Sequence, residues 1–166
     1  MEIKKIYFDM DGVLADFDNG VRELLHLEPM PQGFQKDEYQ TAMWTKMKEY
    51  GHFYRDLKPL PHALESFAQI YSDYGDRCEI LTGVPKPKRG IIYAGDDKVN
   101  WVHKYLSEKV RINLVLRKEK LLSCLGKEYI LIDDYGITVK EWNSLGGTGI
   151  LHTDWDSTEK ALQAVI

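Results

Sequence analysis

The chain has 166 residues, a net charge of −4, 43% apolar and 29% charged residues. That is the composition of a globular domain with room for a real core, and no apolar stretch reaches the length of a bilayer span. The acidic balance argues against a nucleic-acid polymer as the main partner, and no membrane partner is expected.

The first apolar run, Ile3–Phe8, reads as a buried strand and not as a signal peptide. It stops at two carboxylates one residue apart, Asp9 and Asp11, with Gly12 behind them and Asp16 a little further on. A largely helical stretch follows. Val21, Leu24, Leu25 and Leu27 have helical spacing, Glu28 to Gly33 is a break, and Tyr39, Met43, Trp44 and Met47 resume the pattern. Ala63, Leu64, Phe67, Ala68 and Tyr71 form another apolar stripe behind Pro59 and Pro61. The spacing therefore predicts a helical insert over 18–74 in a core made of 1–17 and 75–166.

Beyond the insert, short apolar runs alternate with helical patterns. Cys78–Thr82, Ile112–Leu116, Tyr129–Ile132 and Thr148–His152 read as strands buried on both faces. Trp101, Val102, Tyr105 and Leu106 mark a helix with Asp96 or Asp97 as its cap. Val139, Trp142 and Leu145 mark a second, closed by Gly146-Gly147. A capping box at Asp156 to Glu159 opens a third. Strand–helix alternation of this kind predicts an α/β fold with a mainly parallel five-stranded sheet. Cys78 and Cys124 have no metal-ligand spacing and read as reduced core residues of a cytoplasmic protein. His26, His52, His62, His103 and His152 show no ligand spacing either.

Ligands of open α/β sheets bind beyond the carboxyl ends of the strands. Those ends carry Asp9 and Asp11, Thr82-Gly83, the run Arg117 to Lys120, and Asp133-Asp134. Carboxylates brought together repel one another, and a hard divalent cation such as magnesium removes the repulsion. A lysine and a threonine hydroxyl beside them suit phosphoryl oxygens. Lys86, Lys88 and Arg89 form a basic loop able to steer an anion. Trp44, Phe53 and Tyr54, taken singly, read as core.

Four motifs in order, "YFDMDGVLADF", "ILTG", a lone lysine and "ILIDDYG", resemble the haloacid dehalogenase (HAD) phosphatases. Over "DMDGVLADF", "LKPLPHALE", "KVNWVHKYL", "LVLRKEK" and "LIDD" the chain is similar to the type-C 5'(3')-deoxyribonucleotidases, although Gly83 stands where better-known members carry serine. The resemblance implies a Rossmann-like core with a C1-type helical cap and magnesium as cofactor. It implies that Asp9 is the nucleophile, forming an aspartyl-phosphate, and Asp11 the acid and base. The metal would be held by the side chain of Asp9, the main-chain carbonyl of Asp11, and one or both of Asp133 and Asp134. Gly12, Phe17, Thr82, Gly83 and Lys120 would bind substrate, with Lys98 and Lys118 as alternatives to Lys120. The implied substrate is a small phosphate ester, a nucleoside monophosphate before a sugar phosphate. Two other classes are weighed. A receiver module would end a middle strand in its phosphorylated Asp, where this chain has Thr82 and Leu116. A non-catalytic regulatory module would not need intact Asp9, Asp11 and Asp133.

Overall fold

A computed structural model describes residues 1–28 and 36–166. Five parallel strands, β1 (Lys5–Phe8), β2 (Cys78–Gly83), β3 (Arg111–Val115), β4 (Tyr129–Asp133) and β5 (Thr148–Leu151), form one sheet in the order β3-β2-β1-β4-β5. Among the described residues, six α-helices accompany them: α1 (Phe17–Leu25), α2 (Lys36–Tyr50), α3 (Ala63–Tyr74), α4 (Ala94–Tyr105), α5 (Gly136–Ser144) and α6 (Trp155–Val165).

The central strands are apolar because helices cover them on both faces, and Ile6, Phe8, Ile80, Leu81, Ile130, Leu131 and Ile132 are fully buried. Ile6 pairs with Cys78 on one side and Ile130 on the other, which sets the register of the core. The outer strands differ from the sequence expectation of burial on both faces. Arg111 and Leu114 of β3 and Leu151 of β5 are exposed, because each of these strands has a neighbour on one side only.

From β1 the chain moves outward to β2 and β3. It then crosses back over β1 to β4 and β5. The order therefore reverses between β1 and β4, and the crevice beyond their carboxyl ends is where such a sheet takes its ligand.

Local signals explain most element boundaries. Asp16 is the N-cap of α1, accepting from the Asn19 amide at 3.3 Å, so this third acid belongs to the helix start. Two caps fall elsewhere than expected. The α6 cap is Asp154, which accepts from Ser157 N at 2.8 Å, two residues before the expected box. Helix α4 begins at Ala94, so Asp96 and Asp97 lie in its first turn and neither caps it. The break expected from Glu28 to Gly33 falls, past Glu28, outside the described residues.

Helix α3 packs on the sheet: its Phe67 ring meets Phe8 edge-on with centroids 5.1 Å apart, and Ser66 donates to Glu159 of α6 at 2.5 Å. Two buried indoles tie loops to helices. Trp155 donates to Val13 O and Trp101 to Leu57 O, both at 2.8 Å. Among the described residues, no helix is long and apolar enough to cross a membrane.

Candidate active site

The loop after β1 is a tight turn. The carbonyl of Met10 accepts from the amides of Val13, Leu14 and Ala15, and Gly12 donates to Ala15 O at 2.9 Å. Gly12 has φ +80°, and a Cβ there would lie 2.0 Å from Asp134 Oδ2. Only glycine permits this turn and the close approach of the Asp134 carboxylate together. The Gly12 amide is taken up inside the turn, so it does not serve the substrate-binding role expected of Gly12, although the residue does line the cleft described below.

Asp9 ends β1, and Asp133 and Asp134 end β4. Each of the three offers an oxygen within 4.8 Å of the others'. Asp133 is further fixed by the Tyr135 amide, 2.9 Å from its Oδ1. Lys120, buried in the 3-10 segment Arg117–Ser123, reaches Asp9 Oδ1 and Asp133 Oδ2, both at 2.9 Å. Burial drags the Lys120 ammonium downward, but the charges of Asp9 and Asp133 prevail and hold its pKa above the ordinary lysine value. Burial and the charge of Asp9 push the Asp133 carboxyl up to about 6. Asp134 is an exposed residue, yet its carboxyl leans inward over Gly12. Desolvation there, with Asp9, Asp133 and Asp11 close by, pushes it up to about 8.

The raised values show that the cluster resists carrying three negative charges beside the one ammonium of Lys120; with all three carboxylates ionised, as metal ligation requires, the net charge would be −2. A divalent cation cancels it, and an all-carboxylate donor set suits magnesium. The residues present therefore fit the metal.

Asp11 faces a second lysine. Lys98, in α4 and wholly buried, donates to Asp11 Oδ2 at 2.9 Å, Thr82 Oγ1 at 2.8 Å and Gly83 O at 2.7 Å. The other oxygen, Asp11 Oδ1, is buried and has no hydrogen-bond partner. Burial raises the Asp11 pKa, with Lys98 opposing and Asp9 adding to the rise. The Lys98 ammonium also lies 4.6 Å from the centre of the Tyr54 ring.

A cleft of about 830 Å³ opens over these groups. Asp9, Asp11, Gly12, Gly83, Lys120, Asp133 and Asp134 line it, together with Phe17 at the start of α1 and Trp44 and Tyr54 from the insert. Cations stand at its walls: Lys36, Lys86, Arg89, Arg117 and Lys118.

Three expectations need adjustment. Thr82 is fully buried and lies behind the cleft, where it holds Lys98. Trp44, read as core, lines the cleft, whereas Phe53 is fully buried as expected and backs Phe17 edge-on at 5.5 Å. Lys98, named in the sequence only as an alternative to Lys120, is a second buried lysine of the site. Its signal was in the chain: Ala94, Asp97, Lys98, Trp101 and Val102 recur at helical spacing and are all buried, so two ionisable residues sit in an otherwise apolar stripe. Lys118 is exposed and Lys120 is buried, which separates those two candidates.

Comparison with known proteins agrees with this geometry. Residues 2–158 match the model of the family described as "5' nucleotidase, deoxy (Pyrimidine), cytosolic type C protein". The human mitochondrial 5'(3')-deoxyribonucleotidase is 27% identical over 147 residues, which cover 78% of this chain and 61% of that protein. The human cytosolic type is 28% identical over 146 residues, covering 78% and 70%. The chain thus spans about three fifths of the length of the mitochondrial relative.

Solved structures share the fold at low identity. A HAD hydrolase from Bacillus subtilis bound to magnesium superposes with a TM-score of 0.56 at 13% identity, over 90% of this chain and 86% of that one. A HAD family hydrolase from Deinococcus radiodurans, with bound phosphate and sodium, gives 0.53 at 14% identity, over 97% and 87%. With its five-stranded parallel sheet, its acids at the β1–β4 switch point and a family match along nearly its whole length, the chain belongs to the cytosolic type C 5'-nucleotidase family of the HAD fold.

Proposed function

We propose that the protein is a magnesium-dependent phosphomonoesterase that acts on nucleoside monophosphates, deoxyribonucleotides above all, through an aspartyl-phosphate. The observation that carries this reading is the position of Asp9. It ends the central strand at the switch point, within ligand distance of Asp133 and Asp134, salt-bridged to Lys120 and two residues from the half-tethered Asp11. The side chains of Asp9, Asp133 and Asp134, with the main-chain carbonyl of Asp11, would hold magnesium. When bound, the ion would withdraw charge from the phosphoryl oxygens.

The chain's own groups then act in two steps. A carboxylate oxygen of Asp9 forms a bond to phosphorus while the bond from phosphorus to the ester oxygen breaks. Asp11 gives its proton to the departing alkoxide, and the raised pKa of Asp11 favours the protonated acid that this step needs. Asp11, now ionised, takes a proton from water. The water oxygen attacks phosphorus, phosphate leaves, and the Asp9 carboxylate is restored. Lys98 grips Oδ2 throughout, so the proton moves at Oδ1. Lys120 stabilises the transferring oxygens, and Gly83 borders them.

Substrate choice rests on the cleft walls. Phe17 and Trp44, both partly exposed in the cleft, are the aromatic side chains on which a base would stack, with Tyr54 packed behind Phe17. Base stacking on an aromatic side chain contributes about 1–3 kcal/mol, or about ten- to hundredfold in selectivity. We take α1 and α2 as the cap that carries part of this wall. Helix α3, placed in the 18–74 insert by sequence, goes with the core because it packs on β1. A cytoplasmic location is supported by the two free cysteines and the family's description.

The test is kcat/KM for deoxyuridine monophosphate against glucose 6-phosphate, in wild type and Phe17→Ala. A nucleotide preference that shrinks in Phe17→Ala supports the reading. Equal values for the two esters in wild type remove the nucleotide assignment.

A further inference from the structure

The segment between the cap and α3 lies along α4 and is fastened to it at two points one helical turn apart. At its far end Leu57 O accepts from Trp101 Nε1 at 2.8 Å. At its near end His52 Nδ1 lies 3.0 Å from both oxygens of Asp97. Asp97 is buried to 4% exposure although its side chain is a carboxyl group. The His52 ring is stacked on Tyr93, with centroids 4.1 Å apart and planes 23° from parallel. Between the two fastenings stands Tyr54, whose ring covers the ammonium of Lys98, the residue next to Asp97.

A carboxylate is not buried without a partner to offset its desolvation. The partner of Asp97 is a histidine whose neighbours in sequence, Phe53 and Tyr54, pack against Phe17 of the cleft. The pair therefore sits at the one place where it can set the height of Tyr54 over Lys98.

We propose that His52 and Asp97 form a clasp that positions Tyr54 on Lys98, and through Lys98 the acid Asp11. Both are positioning residues: neither lines the cleft. The consequence for turnover rests on the phosphatase reading above; the clasp itself does not. With Tyr54 seated, water is kept from the Lys98 ammonium, which keeps its three short bonds to Asp11, Thr82 and Gly83. With the clasp open, the strap lifts, Lys98 is hydrated, and Oδ1 of Asp11 loses its fixed direction. Displacements of this size act on the chemical step: a misplacement of about 1 Å costs on the order of a hundredfold in rate. The defect should thus fall on kcat and leave KM for the ester within about twofold.

The experiment pairs a structural readout with a kinetic one in His52→Ala, His52→Asn and Asp97→Asn. The tyrosine ring shifts the Lys98 Hε protons upfield in wild type. The clasp predicts that this shift collapses in His52→Ala and survives in His52→Asn, whose amide still donates to Asp97. An unchanged Lys98 resonance in His52→Ala overturns the clasp whether or not the protein turns over any ester. For the coupling, kcat should drop about ten- to hundredfold in His52→Ala, recover in His52→Asn, and show no further loss when His52→Ala is added to Tyr54→Ala. A collapsed Lys98 shift with wild-type kcat removes the positioning role. Additive losses in the double variant mean that His52 acts elsewhere. Wild-type protein inert toward every phosphate ester removes the phosphatase reading, and the Lys98 resonance still decides the clasp.

Discussion

Gly12→Ala separates the needs of the turn from those of the metal site. Gly12 has φ +80°, where a side chain costs about 1–2 kcal/mol. In a domain of this size each kcal/mol lowers Tm by about 2–4 °C, so the backbone penalty alone predicts a fall of about 2–8 °C. The new Cβ would lie 2.0 Å from Asp134 Oδ2 and 2.5 Å from its Cγ, where ordinary contact begins near 3.4 Å. Asp134 must retreat by the difference, about 1.4 Å. That motion is cheap for the fold, since a side-chain terminus can swing, and ruinous for a ligand to magnesium, which holds oxygens at about 2.0–2.1 Å. Even outer-shell changes cost metal sites about 10–100-fold in affinity, so magnesium binding should weaken by about a hundredfold or more. Gly51→Ala is the control: its φ is +92°, and nothing lies within 4 Å of the added Cβ. Calorimetric titration with magnesium, beside melting curves in EDTA, should show both variants destabilised and only Gly12→Ala defective in metal binding. Wild-type magnesium affinity in Gly12→Ala would refute the role given to Asp134.

Lys120→Ala should destabilise the metal-free protein by about 3–5 kcal/mol, because two buried carboxylates lose their ammonium. Magnesium should raise its Tm more than that of wild type, and an equal rise would show that the metal and Lys120 do not share Asp9 and Asp133. Lys98→Ala strands one buried and two partly buried acceptors and should destabilise, by less than Lys120→Ala and without such rescue, while Lys118→Ala, at an exposed position, should melt like wild type. Asp11→Asn should slow turnover by about 10²–10⁴-fold while metal affinity holds; an unaffected rate assigns the proton transfer elsewhere. His152 is buried against Thr158 and Trp155, and burial lowers its pKa. Around pH 6 the unfolded chain then binds more protons at this residue than the fold does, so its contribution to stability is present above about pH 6.5 and lost as pH falls below it. The drop in urea midpoint between pH 7.5 and pH 5.5 should be smaller in His152→Gln than in wild type, and identical drops would exclude His152.

The strands and the acids at their ends were legible because parallel sheets write themselves as apolar runs, and "DMDG" and "LIDD" interrupt them abruptly. The outer strands misled, since Ile112–Leu116 and Thr148–His152 read as apolar as the central ones while having a single neighbour each. The site's second lysine was half legible. Lys98 and Asp97 occupy the buried stripe of α4, but no local rule tells that Lys98 turns to Asp11, 87 residues earlier in the chain. The same holds for His52 and Asp97, 45 residues apart. Long-range ion pairs are created by topology, and sequence spacing carries no trace of them. Thr82 shows the converse: a motif residue read as a phosphate contact is spent holding Lys98.

The central claim is that Asp9 becomes phosphorylated beside a bound magnesium ion, and it is tested most directly by rapid acid quench. The protein would be mixed with radiolabelled deoxyuridine monophosphate in magnesium or in EDTA, and the labelled peptide identified. The account predicts transient label on Asp9 with magnesium, none in EDTA, and none in Asp9→Asn. Phosphate release that continues in EDTA, or label on any other residue, would contradict it.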